Sequence, residues 1–267
     1  VVIRFEPPHK CIKFLWNLKK ITYITVMISK NLLTSTIAKY YINGLNNQVK
    51  WRIKDNTLTV YAGEAGRVCK VELNNFPLED SELGVFDTNK LSKLISITNG
   101  DLVLSLEKMK AVYTKINIAD SNFDLTYSLA DTLILGKNTY YDDPEEGFDI
   151  ELDLSQEDID HLIKAKSALS DVNNMLINST TDIDGNLVCE FIFGDSTGFS
   201  NKITYQMNGK VKENDISVPF DSDIFKDILN ANKDQENGTL KLSKIGMLKL
   251  NFNSEDIKSE YFVARNE

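Results

Sequence analysis

Histidine, cysteine and proline are scarce in this 267-residue chain, which contains two, three and five of them. Cys11, Cys69 and Cys189 are far apart and odd in number, which argues against a disulfide framework and against a cysteine-based zinc cluster. His9 and His161 are the only histidines. The motifs GxxxxGK[ST], GxGxxG and HExxH are absent. We therefore predict that the protein has no catalytic residues, no metal site and no cofactor.

The chain also has no apolar run of the roughly 18 residues that are needed to span a bilayer. Together with the unpaired cysteines, this predicts a cytoplasmic protein without a membrane partner. Acidic residues outnumber basic residues by 39 to 30, which gives a formal charge of −9. Such a charge argues against coating of nucleic acid by the whole surface, but it leaves room for a local basic surface.

The first 26 residues differ from the rest, because they carry five basic residues and a single acid, and the first methionine is Met27. Three interpretations compete for residues 1–26. They could form a secretory signal, although lysines interrupt the apolar stretch, or a basic amphipathic arm for a membrane or nucleic acid. We favour the third, a non-native leader translated in frame upstream of a start at Met27.

From Met27 onward, the sequence repeats one plan of helix, strands, helix and strands. Ser29 and Ser155 each precede a segment with apolar residues at helical spacing, and both serines suit the N-cap position. Phe86-Asp87-Thr88 and Phe220-Asp221-Ser222 precede the second helix of each half, with apolar residues at matching offsets. The repeat predicts two similar domains that superpose on each other.

Short strands bounded by turn residues are expected between the helices. Their predicted ranges are 49–54, 57–62, 67–73, 101–106, 109–118 and 122–129 in the first half, and 173–179, 186–193, 201–207, 239–243, 246–252 and 260–264 in the second. This order predicts an α+β fold with antiparallel sheets. The polar, turn-rich stretch 136–148 indicates a linker, so we place domain 1 at 27–138, the linker at 139–147 and domain 2 at 148–267.

Lysines lie opposite the apolar stripe of each predicted helix, whereas acidic residues are concentrated in loops and in the linker. This distribution is compatible with a functional basic surface, but lysines are also common on any exposed helix face. Trp51 alternates with Val49 and Ile53, which is typical of a core strand. The acidic run at 142–146 is interpreted as solvated charge rather than as a cation site.

The stretches SELGVFDTNKLSKLISITNGDLVLSL, LSQEDIDHLIKAKSAL, ITYQMNG and SEYFVARNE resemble the sliding clamp of T-even-type bacteriophages. The resemblance covers about 90% of the chain, from Met27 to the end. It implies a homotrimeric ring around double-stranded DNA, with antiparallel sheets outside and two helices per domain lining the hole. It also implies a DNA polymerase and a clamp-loader ATPase as partners. A virion structural protein with duplicated β-rich domains is the alternative.

The resemblance assigns two groups of residues. The DNA-facing channel residues are Lys39, Lys90, Lys93, Lys164, Lys226 and Lys233, with Lys30 and Lys166 in addition; Lys166 lies close to the apolar stripe. Clamps of this kind accept partner peptides near the domain junction, where the candidate pocket residues are Leu133, Leu135, Tyr140 and Tyr141, unless the linker packs on its own domain. Strand 122–128 of one subunit is expected to pair with strand 201–207 of the next.

Overall fold

The computed structural model describes residues 27–64, 66–136, 141–194 and 201–266, so the leader at 1–26 lies outside the described residues. The helices in these ranges are α1 (Lys30–Tyr41), α2 (Thr88–Ser96), α3 (Gln156–Ala168) and α4 (Ser222–Ala231), and a short 3-10 turn, Ile42–Gly44, follows α1. None of these helices is long and apolar enough to cross a membrane.

The strands of the described residues number seventeen. In the first half they are β1 (Met27–Ser29), β2 (Val49–Lys54), β3 (Thr57–Glu64), β4 (Arg67–Leu73), β5 (Ser81–Val85), β6 (Asp101–Met109), β7 (Val112–Ala119) and β8 (Asp124–Ser128). In the second half they are β9 (Ile150–Ser155), β10 (Asn174–Thr181), β11 (Leu187–Gly194), β12 (Lys202–Met207), β13 (Lys210–Val211), β14 (Ser217–Asp221), β15 (Asn237–Ser243), β16 (Met247–Asn253) and β17 (Ile257–Ala264).

These strands form three antiparallel sheets, which confirms the predicted α+β class. Two sheets have four strands, in the orders β1-β6-β7-β8 and β12-β11-β10-β14. The third has nine strands, in the order β13-β9-β15-β16-β17-β4-β3-β2-β5. It runs through both halves of the chain, because β17 pairs with β4 from Ile257 opposite Leu73 to Val263 opposite Arg67.

The internal repeat is visible in this topology. The order β1-β6-β7-β8 of the first half corresponds to β9-β15-β16-β17 of the second, and β4-β3-β2-β5 corresponds to β12-β11-β10-β14. The β4–β17 pair therefore joins one sheet of each half. The counterparts of these two strands, β12 and β8, each end a sheet and are edge strands among the described residues.

All four helices begin close to the predicted positions, because their start signals are local. Asp87 accepts a hydrogen bond from the Lys90 backbone N–H, and Asp221 accepts two from the start of α4. Ser155 and Asp158 form a complete capping box. Ser29 occupies the predicted N-cap position of α1, and its side chain makes no capping hydrogen bond.

The equivalence of Phe86 with Phe220 is also wrong. Val49 of β2 and Met175 of β10 occupy equivalent positions in the two halves. Val85 lies opposite Val49, and Phe220 lies opposite Met175. Val85 is therefore the structural counterpart of Phe220. Phe220 and Val85 are fully buried, whereas Phe86 is 49% exposed. One additional residue between β5 and the Asp87 cap displaces Phe86 from the core.

The core lies between the helices and the sheets. Trp51 is 1% exposed, as the strand pattern predicts, and its indole N–H donates to the Tyr40 hydroxyl at 3.1 Å. Helix α1 packs between α2 and α4, and α3 packs on the other side of α4. The helices therefore form a row in the order α2, α1, α4 and α3, which places the predicted lysines on one layer of the molecule.

Candidate nucleic-acid interface

The predicted channel lysines fall into an exposed group and a buried group. Lys90 and Lys93 on α2 and Lys164 on α3 are exposed. Lys226 on α4 is partly exposed and lies 3.7 Å from Asp223. Lys233 is exposed but follows the end of α4 rather than lying within the helix. These five side chains remain available to a polyanion on the helix layer or at its border.

Lys39 does not belong to an exposed surface, contrary to the prediction. Its side chain is fully buried, and its ammonium donates to Asp234 at 2.5 Å and to the Ala231 carbonyl at 3.1 Å. Burial lowers the pKa of Lys39, which the bond to Asp234 and its charge oppose. Lys39 therefore joins α1 of the first half to the end of α4 in the second half, instead of facing DNA.

Lys166 and Lys30 are also engaged within the protein. Lys166 is buried, and its ammonium lies 3.1 Å from Asp223 and 3.3 Å from the Ser170 carbonyl. The ammonium of Lys30 donates to the carbonyls of Ser96, at 2.8 Å, and Thr98, where α2 ends. The DNA-facing role that the resemblance assigned to Lys166 is therefore wrong, and Lys30 stabilises the carboxyl end of a helix.

The helices are nevertheless more positive than the chain as a whole. They contain seven lysines and five acidic residues, in a chain whose formal charge is −9. Some of this charge is compensated locally, because Asp223 contacts both Lys166 and Lys226. Among the described residues, no group of three or more possible metal ligands occurs. Without the three engaged lysines, four helix lysines remain beside five acidic residues, so attraction for phosphates would come from individual exposed lysines rather than from a net positive layer.

The candidate peptide-pocket residues are only partly brought together. Leu133 is 88% exposed, whereas Leu135 is buried, with 5% of its surface exposed. The Tyr141 hydroxyl accepts a hydrogen bond from the Gly66 backbone N–H at 3.0 Å, and the ring packs edge-on against Phe262. Tyr141 thus spans the β4–β17 pair at the domain junction.

Two further features define the rest of this region. Tyr140 lies outside the described residues. Ile134, next to Leu133, is also 67% exposed, so an apolar pair lies in solvent before the linker. Asp143 in the linker contacts Lys249 of β16 at 2.6 Å, so the linker is held on its own domain as well. The alternative interpretation, in which the linker packs on the protein itself, therefore applies to Tyr141.

The edge strands β8 and β12 carry partly buried side chains on one face. Leu125 lies on β8, and Ile203 and Tyr205 lie on β12. The Tyr205 hydroxyl donates to Asp158 at 2.7 Å and lies 3.3 Å from His161 Nδ1. Burial, with the hydrogen bond to Asp158, raises the pKa of Tyr205 to about 12. His161 thus belongs to a structural cluster beside β12, and the predicted absence of a catalytic triad stands as a prediction.

The fold is that of known DNA clamps. The chain is similar to proliferating cellular nuclear antigen (PCNA) from Entamoeba histolytica, with a TM-score of 0.69 and 13% identity over 90% of this chain and 97% of that one. It is similar to A. fulgidus PCNA, solved with the C-terminal region of FEN-1 bound, with a TM-score of 0.71 and 14% identity over 91% and 98%.

A third similar structure is the PCNA2–PCNA3 complex from Sulfolobus tokodaii, with a TM-score of 0.68 and 10% identity over 90% and 98% of the two chains. No family model matches the sequence, and no curated protein is significantly similar to it. At these identities the similarity establishes the PCNA-like clamp fold, which covers nearly the whole described chain.

Proposed function

We propose that the chain is a subunit of a DNA sliding clamp, a processivity factor that performs no reaction itself and encircles duplex DNA. The observation that carries the proposal is the pair of free edges. Strands β4 and β17 already pair at the domain junction, and their counterparts β12 and β8 each have one free edge at the end of a sheet among the described residues. Pairing of different edges between copies is heterologous, and such contacts form a ring when the rotation between copies closes.

The internal repeat specifies how these edges should meet. Gly63 and Gly194 both have a positive φ and lie against the carbonyls of Arg67 and Asn201, which makes β12 the counterpart of β4 with Ile203 in the place of Cys69. Ser29 and Ser155 occupy equivalent positions at the ends of β1 and β9. When the residue pairs are followed from Ser29 across β6 and β7 to β8, and from Ser155 across β15 and β16 to β17, Leu125 corresponds to Tyr261. Tyr261 is opposite Cys69, so we expect Leu125 to lie opposite Ile203 of the next copy.

The helix layer supports the DNA-binding part of the proposal. A clamp must slide, so it should attract phosphates at every position and should not recognise bases. Exposed lysines that are scattered over the helix layer meet that requirement. Lys93, Lys164, Lys226 and Lys233 are its proposed phosphate contacts, whereas Lys39, Lys166 and Lys30 support the protein. Three subunits, the number that the sequence resemblance implies, would repeat this layer around the hole.

The single variants Lys164→Glu and Lys226→Glu should each weaken the association with DNA, by the same factor for every DNA sequence. The slope of log K against log salt should fall by roughly 0.9 for each phosphate that the variant no longer neutralises. The measurement is anisotropy of a labelled duplex at several salt concentrations. Lys54→Glu is the control, because Lys54 is exposed at the end of β2, away from the helix layer. A slope that is the same in all three variants would exclude these lysines from DNA binding.

Partner proteins are proposed to bind near Tyr141 and the exposed apolar pair Leu133 and Ile134. The A. fulgidus PCNA was solved with the C-terminal region of FEN-1 bound, which supports the binding of a partner's terminal segment by analogy of fold. A DNA polymerase and a clamp-loader ATPase are the proposed partners. The place among T-even-type phage clamps rests on the sequence resemblance, as does the host-cell cytoplasm. The similar structures do not support the virion alternative.

The test of the proposed function has two steps. Sedimentation equilibrium should give the mass of three chains at micromolar concentration. The assembled protein should then increase the product length of its own polymerase on primed DNA. A mass of one chain throughout the concentration range, or an assembly that leaves product length unchanged, would contradict the proposal.

A further inference from the structure

The domain junction contains a crevice that the protein fills itself. Its walls are Ile42 and Leu45, which follow α1, and Ile224, Ile228 and Phe262 from the second half of the chain. Only about 10 Å³ of the crevice remains open. An apolar side chain from each half, Leu45 and Ile224, therefore closes the junction on this side.

A larger open cleft lies at the equivalent position beside the edge strand β8. It has a volume of about 250 Å³ and is lined by Phe86, Lys90, Leu94, Thr126 and Tyr127, among others. Lys90 is the third residue after the Asp87 cap, as Ile224 is the third after the Asp221 cap. The cleft thus reproduces one wall of the junction crevice, and the opposite wall is missing.

The missing wall exists elsewhere in the same chain. The Asn47 carbonyl accepts a hydrogen bond from the first residue of α2, and the Asn173 carbonyl accepts one from the first residue of α4, both at 2.9 Å. Leu45 precedes Asn47 by two residues, and Asp171 precedes Asn173 by two. Asp171 is therefore the counterpart of Leu45, and both residues are exposed.

The two equivalent sites thus differ in chemistry, because one has a pair of apolar residues and the other has two residues of opposite charge. Where the junction has Leu45 and Ile224, the corresponding positions hold Asp171 and Lys90. Neither charge has an ion-pair partner among the described residues. Lys90 lies on α2, at one end of the helix row, and Asp171 follows α3, at the other end. Within one chain they are at opposite ends of the row, but in a ring they would be brought to the same seam.

We infer that Lys90 of one copy forms an ion pair with Asp171 of the next copy, in the cleft beside β8. This inference rests on the proposed ring and adds the chemistry of its seam. The junction is closed by apolar contacts, whereas the seam is closed partly by charge. Salt weakens exposed ion pairs and leaves apolar contacts intact. The seam should therefore loosen as salt rises, while the domain junction stays closed.

The test is a charge swap read by sedimentation. Lys90→Glu and Asp171→Lys should each place like charges in the seam, which is costly at an interface. Each should raise the concentration of half-assembly by about tenfold or more, a change of about 1.4 kcal/mol. The double variant restores opposite charges and should return to within about threefold of the unchanged protein. Lys54→Glu, at an exposed lysine of β2 outside the cleft and the helix layer, is the matched control and should leave assembly unchanged.

Far-UV circular dichroism of each variant checks folding, and both substituted side chains are exposed, so native spectra are expected. Single variants that assemble like the control would overturn the inference, and so would a double variant as weak as the single variants. In either case an assembled, unsubstituted protein keeps the proposed function intact. A protein that remains monomeric without any substitution would instead overturn the proposed ring itself.

Discussion

Replacing Asp234 with alanine should lower the free energy of unfolding by about 2 kcal/mol. Breaking a fully buried ion pair costs about 3–5 kcal/mol, and we reduce that figure because the Asp234 side chain is 46% exposed. Lys39, its partner, is 0% exposed and would keep a buried charge without a carboxylate. Urea unfolding measures the change, and Asp234→Asn should give a smaller loss.

This prediction has a matched control in a surface pair. Arg52 and Glu82 lie 3.4 Å apart and are 50% and 43% exposed, so Glu82→Ala should cost under about 1 kcal/mol. If Asp234→Ala were no more destabilising than Glu82→Ala, the Lys39 pair would not hold the two domains together.

The loss in Asp234→Ala should shrink as pH rises from 7 toward 10. Burial already lowers the pKa of Lys39, and the variant removes the carboxylate that opposes this effect. The folded pKa then lies further below the unfolded value of about 10.4. Between these two values the unfolded state binds more protons, so the stability of the variant rises with pH. Unfolding curves at pH 7 and pH 9.5 measure this change.

Replacing Ile203 with glutamate should abolish assembly at micromolar concentration. Its counterpart Cys69 is 1% exposed at the domain junction, so the seam should bury position 203 to a similar degree. An unpaired carboxylate in that place costs several kcal/mol, and each 1.4 kcal/mol is tenfold in affinity. Sedimentation should show monomers where the unchanged protein shows rings.

Gln206→Glu is the control for the seam, because Gln206 is exposed on the other face of the same strand. It adds the same charge and should assemble nearly normally. Circular dichroism must show that Ile203→Glu folds, since Ile203 is partly buried in the single chain. A folded Ile203→Glu protein that assembles as well as Gln206→Glu would exclude β12 from the subunit contact.

Local signals predicted the helices, and non-local contacts explain most of what was missed. The caps at Asp87, Ser155 and Asp221 are read from a few neighbouring residues, and the structure contains them. Strands β1, β5, β9, β13 and β14 were not predicted. Strand formation depends more on the neighbouring strands of the sheet than on the strand's own sequence.

The candidate site shows the same division. Helical spacing placed Lys39 away from the apolar stripe, but its partner Asp234 is 195 residues away in sequence, and only the packing of α1 on α4 brings the two together. The equivalence of Phe86 with Phe220 failed for a related reason. One additional residue lies between β5 and the start of α2, and it can be recognised only from the register of the sheet. The exposed lysines needed no such information, because their surroundings are solvent.

Retention on end-blocked DNA tests the central claim, that copies of this chain close around a duplex, most directly. The protein is mixed with a linear duplex that carries biotin at both ends, streptavidin is added, and an excess of unlabelled duplex then removes protein that is held only by electrostatic contact. We expect a fraction to remain on the DNA and to be released when a restriction enzyme cuts the duplex between its ends. Loss of all protein to the unlabelled duplex before cutting, or equal retention before and after cutting, would contradict encirclement.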